Sequence, residues 1–599
     1  MFLRRNRRTV DGQTYEYWTL VRTVRTAKGP RQQVVATLGK EPGMERQTRR
    51  GWEHVADMLD GREPAVQGQL GQQLPPAPQW AQVDVRGLRV ERVREFGQVY
   101  LALSLWRRLG LHTLLRDLIE PGRETVPWEL IACILTIARF CGNKSELEVA
   151  ERWYADSALE DLLGVPFAQI NDARLYRGLD VLHAHKDKLC AHLQQRYESW
   201  FGVEFEFLLY DVTSTYFEGQ ALRNKKAARG YSRDKRPDCK QVNIGLVVTP
   251  EGLPVGYEVF AGNTADVTTV EDMVAMMEHK YGQARRIWVM DRGMVSEENI
   301  DFLRGRGARY IVGTPKRELR QFETQLLNET DWAEVQPGVE VKLVPHPDGA
   351  GNEQFVLCRS ADRQQKEAAM LELQRQRLMA RLRQTDRTLR QHPVKDPGQV
   401  ERRIGRWLGR FPAAERLIEV RVERDTEGRA TGLTITERAE RTAWARHAHG
   451  AYLLRTNCTE RDPAQLWRWY MRLTQAEDAF RISKSDLSLR PVFHQSTERV
   501  EAHILVCFLS LALWRTLEMW MRGKGLGDCG RQLLKEVSTV RSMDVVLPVR
   551  DPAGGRVEEM HLRTVARPDR PVAELLHRLG LDLPTLPRRI QNVVEKTAL

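Results

Sequence analysis

Val203, Phe205, Phe207 and Leu209 fall on alternate positions of GVEFEFLLYDVTSTYFEG, the period of a strand with a buried face. Asp211 interrupts the run, and Val212, Thr213, Ser214, Thr215 and Tyr216 keep the β propensity beyond it. A carboxylate inside a strand is costly to desolvate unless it is paired, hydrogen-bonded or metal-bound. Alone, Asp211 reads as an edge aspartate bonded to nearby hydroxyls. A basic loop follows, ALRNKKAARGYSRDKRPDCK, and then QVNIGLVVT and LPVGYEVFAG, two strands joined as a hairpin. VTTVEDMVAMMEHKYG has helical spacing, with Val270, Met273, Val274 and Met277 on its apolar side. RRIWVMD is a fourth strand, SEENIDFLRGRG a helix and RYIVGT a fifth strand. The order β-β-β-α-β-α-β predicts an α/β layer structure.

The fourth strand repeats the theme of the first. Ile287, Trp288, Val289 and Met290 end on Asp291; Gly293 permits a turn, and Ser296, Glu298 and Asn299 signal a helix start. Trp288 is expected to pack in the sheet. If the two strands are neighbours, their carboxylates converge. A third carboxylate comes from TERDPAQLWRWYMRLTQAEDAFRISKSDL, a helix with Asp462 as N-cap and Pro463 in its first turn. Tyr470, Glu477 and Lys484 are spaced by seven, which drifts by only about 20° on a helix, and Arg481 lies near the same face. The plainer reading is a surface helix with a Glu477–Arg481 pair. Three carboxylates around one site can instead hold two divalent metals, roughly 4 Å apart, for in-line attack on a phosphodiester. Mg²⁺ prefers such oxygen ligands. Arg481 and Lys484 would then hold neighbouring phosphates, and Tyr470 would bond to or stack on the strand near the cut.

The rest of the chain divides by pattern. Residues 1–60 hold a small β unit (TYEYWTLVRTVRT, QQVVATLG), and 61–85 are Gln/Pro-rich, as in a linker. Residues 86–200 are mainly helical, with room for a helix-turn-helix. From 321 to 445 the α/β rhythm breaks into an insertion with its own strands and a long charged helix. Its arginines are expected to form mostly a solvated face, and Trp407 is a minor candidate for stacking on a flipped base. The core pattern returns over 446–525, and 526–599 form a C-terminal region suited to dimerisation.

Bulk properties narrow the class. The 599 residues allow several domains. A net charge of +12 and a pI near 9.3 lean toward an anionic partner such as nucleic acid. Eight scattered cysteines without C-x-x-C argue against a zinc ribbon or a disulfide framework. The N-terminus lacks the apolar segment of a signal peptide. Ala502–Trp514 is too short for a membrane span and suits a buried helix. His494 and His503, near the Glu477 helix, are expected in core or loop roles rather than as metal ligands.

On these motifs the chain resembles bacterial insertion-sequence transposases of the DDE type, in the branch with a Y-x2-R-x3-E-x6-K signature and a β-rich insertion. The matching texts are YDVTSTYFEG, WVMDRGMVS and YMRLTQAEDAFRISK, with YSRDKRPDCKQVNIGLVV and SLRPVFHQSTERVEAHILVCFLSLAL beside them. The resemblance implies an α+β multidomain chain: a ribonuclease-H-like α/β core interrupted by the insertion, with a helical N-terminal DNA-binding region. It implies Asp211, Asp291 and Glu477 as catalytic and metal-binding residues, with Mg²⁺ as cofactor and Mn²⁺ able to substitute. Tyr470, Arg472, Arg481 and Lys484, with Arg233, Lys235 and Arg236 of the basic loop, would contact DNA. It further implies recognition of terminal inverted repeats and cut-and-paste joining to target DNA. The enzyme would work as a homodimer in a synaptic complex, in the cytoplasm at the nucleoid and away from membranes. One position departs: the signature's arginine falls on Leu473. Arg472 sits about 100° around the helix, and Arg481 is a second candidate, so which arginine fills the role stays open. The alternatives are a catalytically inactive DNA-binding derivative and a metal nuclease that cuts without joining.

Overall fold

The structure is a computed structural model and describes residues 2–10, 13–26, 29–37, 80–282, 286–347, 353–550 and 556–590. Most of the expected linker, 61–79, and residues 38–60 of the N-terminal unit lie outside the described residues, as do 591–599 of the C-terminal region. The chain forms two compact units. One comprises Trp106–Ala150 and Ala168–Arg515, the other Met1–Leu105, Glu151–Phe167 and Thr516–Leu599.

The larger unit is built on a nine-stranded sheet. Its strands are β1 (Phe207–Tyr216), β2 (Gln241–Val248), β3 (Pro254–Ala261), β4 (Ile287–Met290), β5 (Arg309–Gly313), β6 (Ala333–Gln336), β7 (Val339–Pro345), β8 (Gln354–Ser360) and β9 (Ala451–Thr456). Their order is β6-β7-β8-β9-β5-β4-β1-β2-β3. β1, β2 and β3 are antiparallel, whereas β4 runs parallel to β1 and β5 parallel to β4. The mixed α/β architecture expected from the hydrophobic pattern is present. β6, β7 and β8, expected inside the insertion, instead extend this sheet, because β8 pairs with β9.

Alternation along β1 sorts its side chains into two layers. Leu208, Tyr210 and Val212 face helices α1 (Val270–Tyr281) and α2 (Glu297–Gly305), packing with Val270, Met273, Met277, Ile300 and Leu303. Trp288 and Met290 of β4 join that core, so Trp288 is a packing residue. On the opposite layer, Ile244 and Leu246 of β2 meet Phe480, Ile504 and Leu511 from the later helices. Strand β2 is buried on both faces, the environment of a central strand.

Between β8 and β9 the chain leaves the sheet through α3 (Ala361–Gln391), which Ser360 caps by accepting a bond from the Arg363 N–H. The far half of α3 buries Leu378, Leu382 and Leu389 against Val400 and Ile404 of α4 (Pro397–Arg410) and against Ile418 and Leu433 of a hairpin over 418–437. This body has its own small core, and Trp407 is half-buried in it. After β9 come α5 (Pro463–Met471), α6 (Thr474–Ser485) and α7 (Thr497–Gly523). Among the described residues α7 is the one helix long and apolar enough to cross a membrane; 94% of its apolar window is buried within the protein.

In the smaller unit, Phe2–Val10, Gln13–Thr26 and Gly29–Thr37 form an antiparallel sheet. The strand Arg541–Arg550 pairs with Val557–Val565 on one side and with Arg89–Glu95 on the other. Arg89–Glu95 falls within the stretch expected to be helical. Its strand is held by buried Arg94, which bonds to Asp544 at 3.0 Å, and Asp544 also receives Arg563 at 2.7 Å.

Candidate active site

Strand register brings the first two carboxylates together. In the parallel β1/β4 ladder Tyr210 lies opposite Met290. The next residues, Asp211 and Asp291, are therefore side by side on strands about 4.8 Å apart. Both follow a core-facing residue, so both leave the sheet on the layer away from α1 and α2. Their surroundings differ. Asp211 is still flanked by β2, opposite Leu246, and is half-buried. Asp291 lies one residue past the end of β4, is exposed, and its carbonyl accepts the Met294 N–H in the following turn at 3.1 Å.

Glu477 arrives on α6. The single helix expected from Asp462 onward is two: α5 ends at Met471, and the Leu473 N–H bonds to the Tyr470 carbonyl, a tightened turn before α6. Asp462 caps α5 as expected, accepting from the Ala464 N–H at 2.9 Å. The junction still directs Tyr470 and Glu477 to one place. The Tyr470 hydroxyl donates to Asp291 Oδ1 at 3.4 Å, and the charges of Asp291 and Glu477 act on one another. Gly313, beside Asp291 at the end of β5, makes the room: a Cβ there would stand 2.6 Å from the Tyr470 hydroxyl. Asp291, Gly313 and Tyr470 border a cavity of about 370 Å³ that also touches Arg292, Lys316 and Arg363.

The electrostatics couple the three acids. Burial pushes the Asp211 carboxyl up to about 7, and the charges of Asp291 and Glu477 push the same way. The Val212 N–H, at 2.8 Å from Oδ1, and Arg233 pull against them. Glu477 is raised by burial and by Asp291. Tyr470 is raised by burial and by Asp291, which keeps its hydroxyl a donor. Three hard oxygen donors that repel one another fit a divalent cation, whose charge would offset the repulsion.

The cations expected near the site sort into two groups. Lys484 donates to Asp234 Oδ1 at 2.8 Å, and Arg490 binds the same oxygen. Asp234 itself is buried, with its side chain 2% exposed. Arg233 is close enough to act on Asp211; Asp266 holds its guanidinium, and its N–H donates to Ser214 Oγ at 3.2 Å. Arg236 is tied to Asp238 and Glu218 and lies over the Tyr216 ring, while Lys235 is exposed. Arg481 is not brought to the carboxylates. It pairs with Asp478 three residues before it, and the expected Glu477–Arg481 pair is not among the ion pairs of the described residues. Arg472 is exposed at the helix junction, whereas Leu473, at the signature's arginine position, is buried.

Asp234 and Gly313 escaped sequence reasoning. Asp234 lies in a loop whose basic residues drew attention instead, and its Lys484 and Arg490 partners are about 250 residues away. Gly313 could be found only from its strand-end position beside Asp291. A separate group, Glu146, His494 and His503, has ligand-type atoms all within 4.8 Å of one another. Arg139 already donates to Glu146 at 3.2 Å and contacts His503 Nδ1 at 3.3 Å. Burial and Arg139 push His503 down to about 3. Arg139's guanidinium ties Glu146 and His503 into one largely buried network beside His494.

A family model described as "Transposase DDE domain" matches residues 202–513, which contain all three acids. One described as "IS1634 family transposase, N-terminal domain" matches residues 3–70. No curated protein matches in sequence. A similar solved structure is a cryo-EM structure of a piggyBac transposase synaptic complex with hairpin DNA. It is 8% identical, with 73% of this chain and 79% of that chain covered and a TM-score of 0.34.

Proposed function

The chain belongs to the transposase DDE-domain family of insertion sequences, and from that premise we propose that Asp211, Asp291 and Glu477 form its divalent-metal site for cutting and joining DNA. The register that sets Asp211 beside Asp291, with Glu477 near enough for its charge to act on Asp211 and for that of Asp291 to act on it, supports this reading. The order β3-β2-β1-β4-β5, three antiparallel strands followed by two parallel ones, supports a ribonuclease-H-like core. The separate core around α3 and α4 supports an inserted body within it.

Asp211, Asp291 and Glu477 would hold Mg²⁺, or Mn²⁺ in its place, which when bound activates the attacking oxygen and stabilises the leaving one. The chain's own groups do the rest. Tyr470, held over Gly313, orients Asp291 through its hydroxyl and presents its ring to the strand. Lys484, fixed by Asp234, and Arg233, fixed by Asp266, supply positive charge where the phosphodiester's oxygens develop negative charge. Arg472 and Lys235, both exposed, meet the backbone farther out, with Arg236 set beside them by Asp238. Two copies acting on the paired inverted repeats at the chromosome would complete a cut-and-paste reaction.

Incubating the full chain with a duplex from the element's terminal repeat, a target plasmid and Mg²⁺ tests the reading. Cleavage at the 3′ end of the element and covalent joining to the plasmid are expected. Binding without cleavage would identify an inactive DNA-binding derivative, and cleavage without joining a nuclease.

A further inference from the structure

Helix α4 carries a face that the protein leaves uncompensated. Val400, Ile404 and half-buried Trp407 set its core side. At 100° per residue, Arg403, Arg406 and Arg410 fall within an arc of about 60° on the flank next to Trp407. All three are exposed, and among the described residues none is paired with a carboxylate. The acids on and beside this helix are used elsewhere: Asp396 by Arg402 at 3.4 Å and Glu401 by Arg424 at 2.9 Å. Arg381 of α3 lies over the Trp407 ring at 5.1 Å, so a fourth guanidinium borders the same flank. Like charges three and four residues apart weaken a helix. Gly405 and Gly409, with nothing within 4 Å of an added Cβ, leave the adjoining surface flat.

We propose that this flank docks the phosphate backbone of the element's own end duplex, inside the cut. The charge is complementary, arginine suits phosphate, and the distance is right. Arg363 borders the cavity beside Asp291, and Arg381 lies farther along the same helix, up to about 27 Å away. That reach matches about eight base pairs of duplex at 3.4 Å each. A duplex that enters at the acids and runs along α3 brings its backbone to this flank. The inference rests on the transposase reading above and adds where the bound duplex runs.

The test uses the full chain, a 40-base-pair duplex from the terminal repeat bracketing the gene, and binding measured across a salt series. The Arg403→Ala/Arg406→Ala/Arg410→Ala variant is expected to lower the slope of log K against log salt by about 2.7, roughly 0.9 for each phosphate no longer neutralised. The triple Lys variant should keep the slope. The alanine effect should vanish on a duplex truncated to about five base pairs inside the cut, short of the eight-base-pair reach. An unchanged slope would overturn the proposal. So would a weakening seen only with an unrelated target duplex, or only with single-stranded RNA. If wild type fails to bind the end duplex, the transposase reading fails, and this proposal with it.

Discussion

Asp211→Asn, Asp291→Asn and Glu477→Gln are each expected to lower end cleavage by about 10³-fold or more while end binding is retained. A catalytic metal contributes several kcal/mol of transition-state stabilisation, and about 4 kcal/mol corresponds to a factor near 10³ in rate. The amides keep the shape of the carboxylates, so the sheet and α6 should be undisturbed. Removing one negative charge from a cluster in which neighbouring acids help to raise Asp211 and Glu477 relieves repulsion rather than adding it. DNA binding should therefore be unimpaired. Because the acids act as a unit, double variants should be little worse than single ones. Single-turnover cleavage beside a gel-shift titration on the same duplex reads both quantities. A variant that cuts at the wild-type rate would remove its residue from the site.

Asp234→Ala should be the most damaging change outside the three acids. The buried Asp234 carboxylate pairs with both Lys484 and Arg490. Without it two cations face each other, one of them mostly buried, and a buried ion pair broken from one side typically costs about 3–5 kcal/mol. The thermal midpoint of the larger unit should fall by several degrees, and cleavage should fall with it as Lys484 loses its fixed position. Adding Lys484→Met to Asp234→Ala should restore part of the stability but not the cleavage, since it removes the stranded charge along with its function. If the double variant is no more stable than the single one, the loss did not come from that charge.

The sheet and two of its aspartates were legible because β1 and β4 announce themselves by apolar runs that end or break on a carboxylate. The adjacency of the two strands was only a condition in the sequence; hydrogen-bond register supplied it. Glu477 was legible through helical spacing, but the tightened turn at Leu473 was not, since nothing local distinguishes it from a continuing helix. Arg481 misled for the same reason: spacing places it near Glu477, while Asp478 three residues earlier captures it. The strands β6, β7 and β8 read as an insertion because pairing with β9 spans about a hundred residues that carry a second core. Arg89–Glu95 was hidden by its composition. Five of its seven residues are charged and its two valines are three apart, and pairing to Arg541–Arg550 makes it a strand.

A divalent-cation site made by three carboxylates is read out by the thermal shift of the protein on adding Mn²⁺ at pH 6 and at pH 8. Asp211, at about 7 in the fold against about 3.9 unfolded, binds an extra proton in the native state between those values. The metal-free protein should therefore lose stability as pH rises from about 4 to about 7. A cation must displace that proton, so its stabilisation should be larger at pH 8 than at pH 6. It should reach about 1.4 kcal/mol at a tenfold excess over Kd. Asp211→Asn should melt higher than wild type in chelator at pH 8 and gain little from Mn²⁺. An equal Mn²⁺ shift in wild type and Asp211→Asn, or none in wild type at pH 8, would rule out a cation site at these carboxylates.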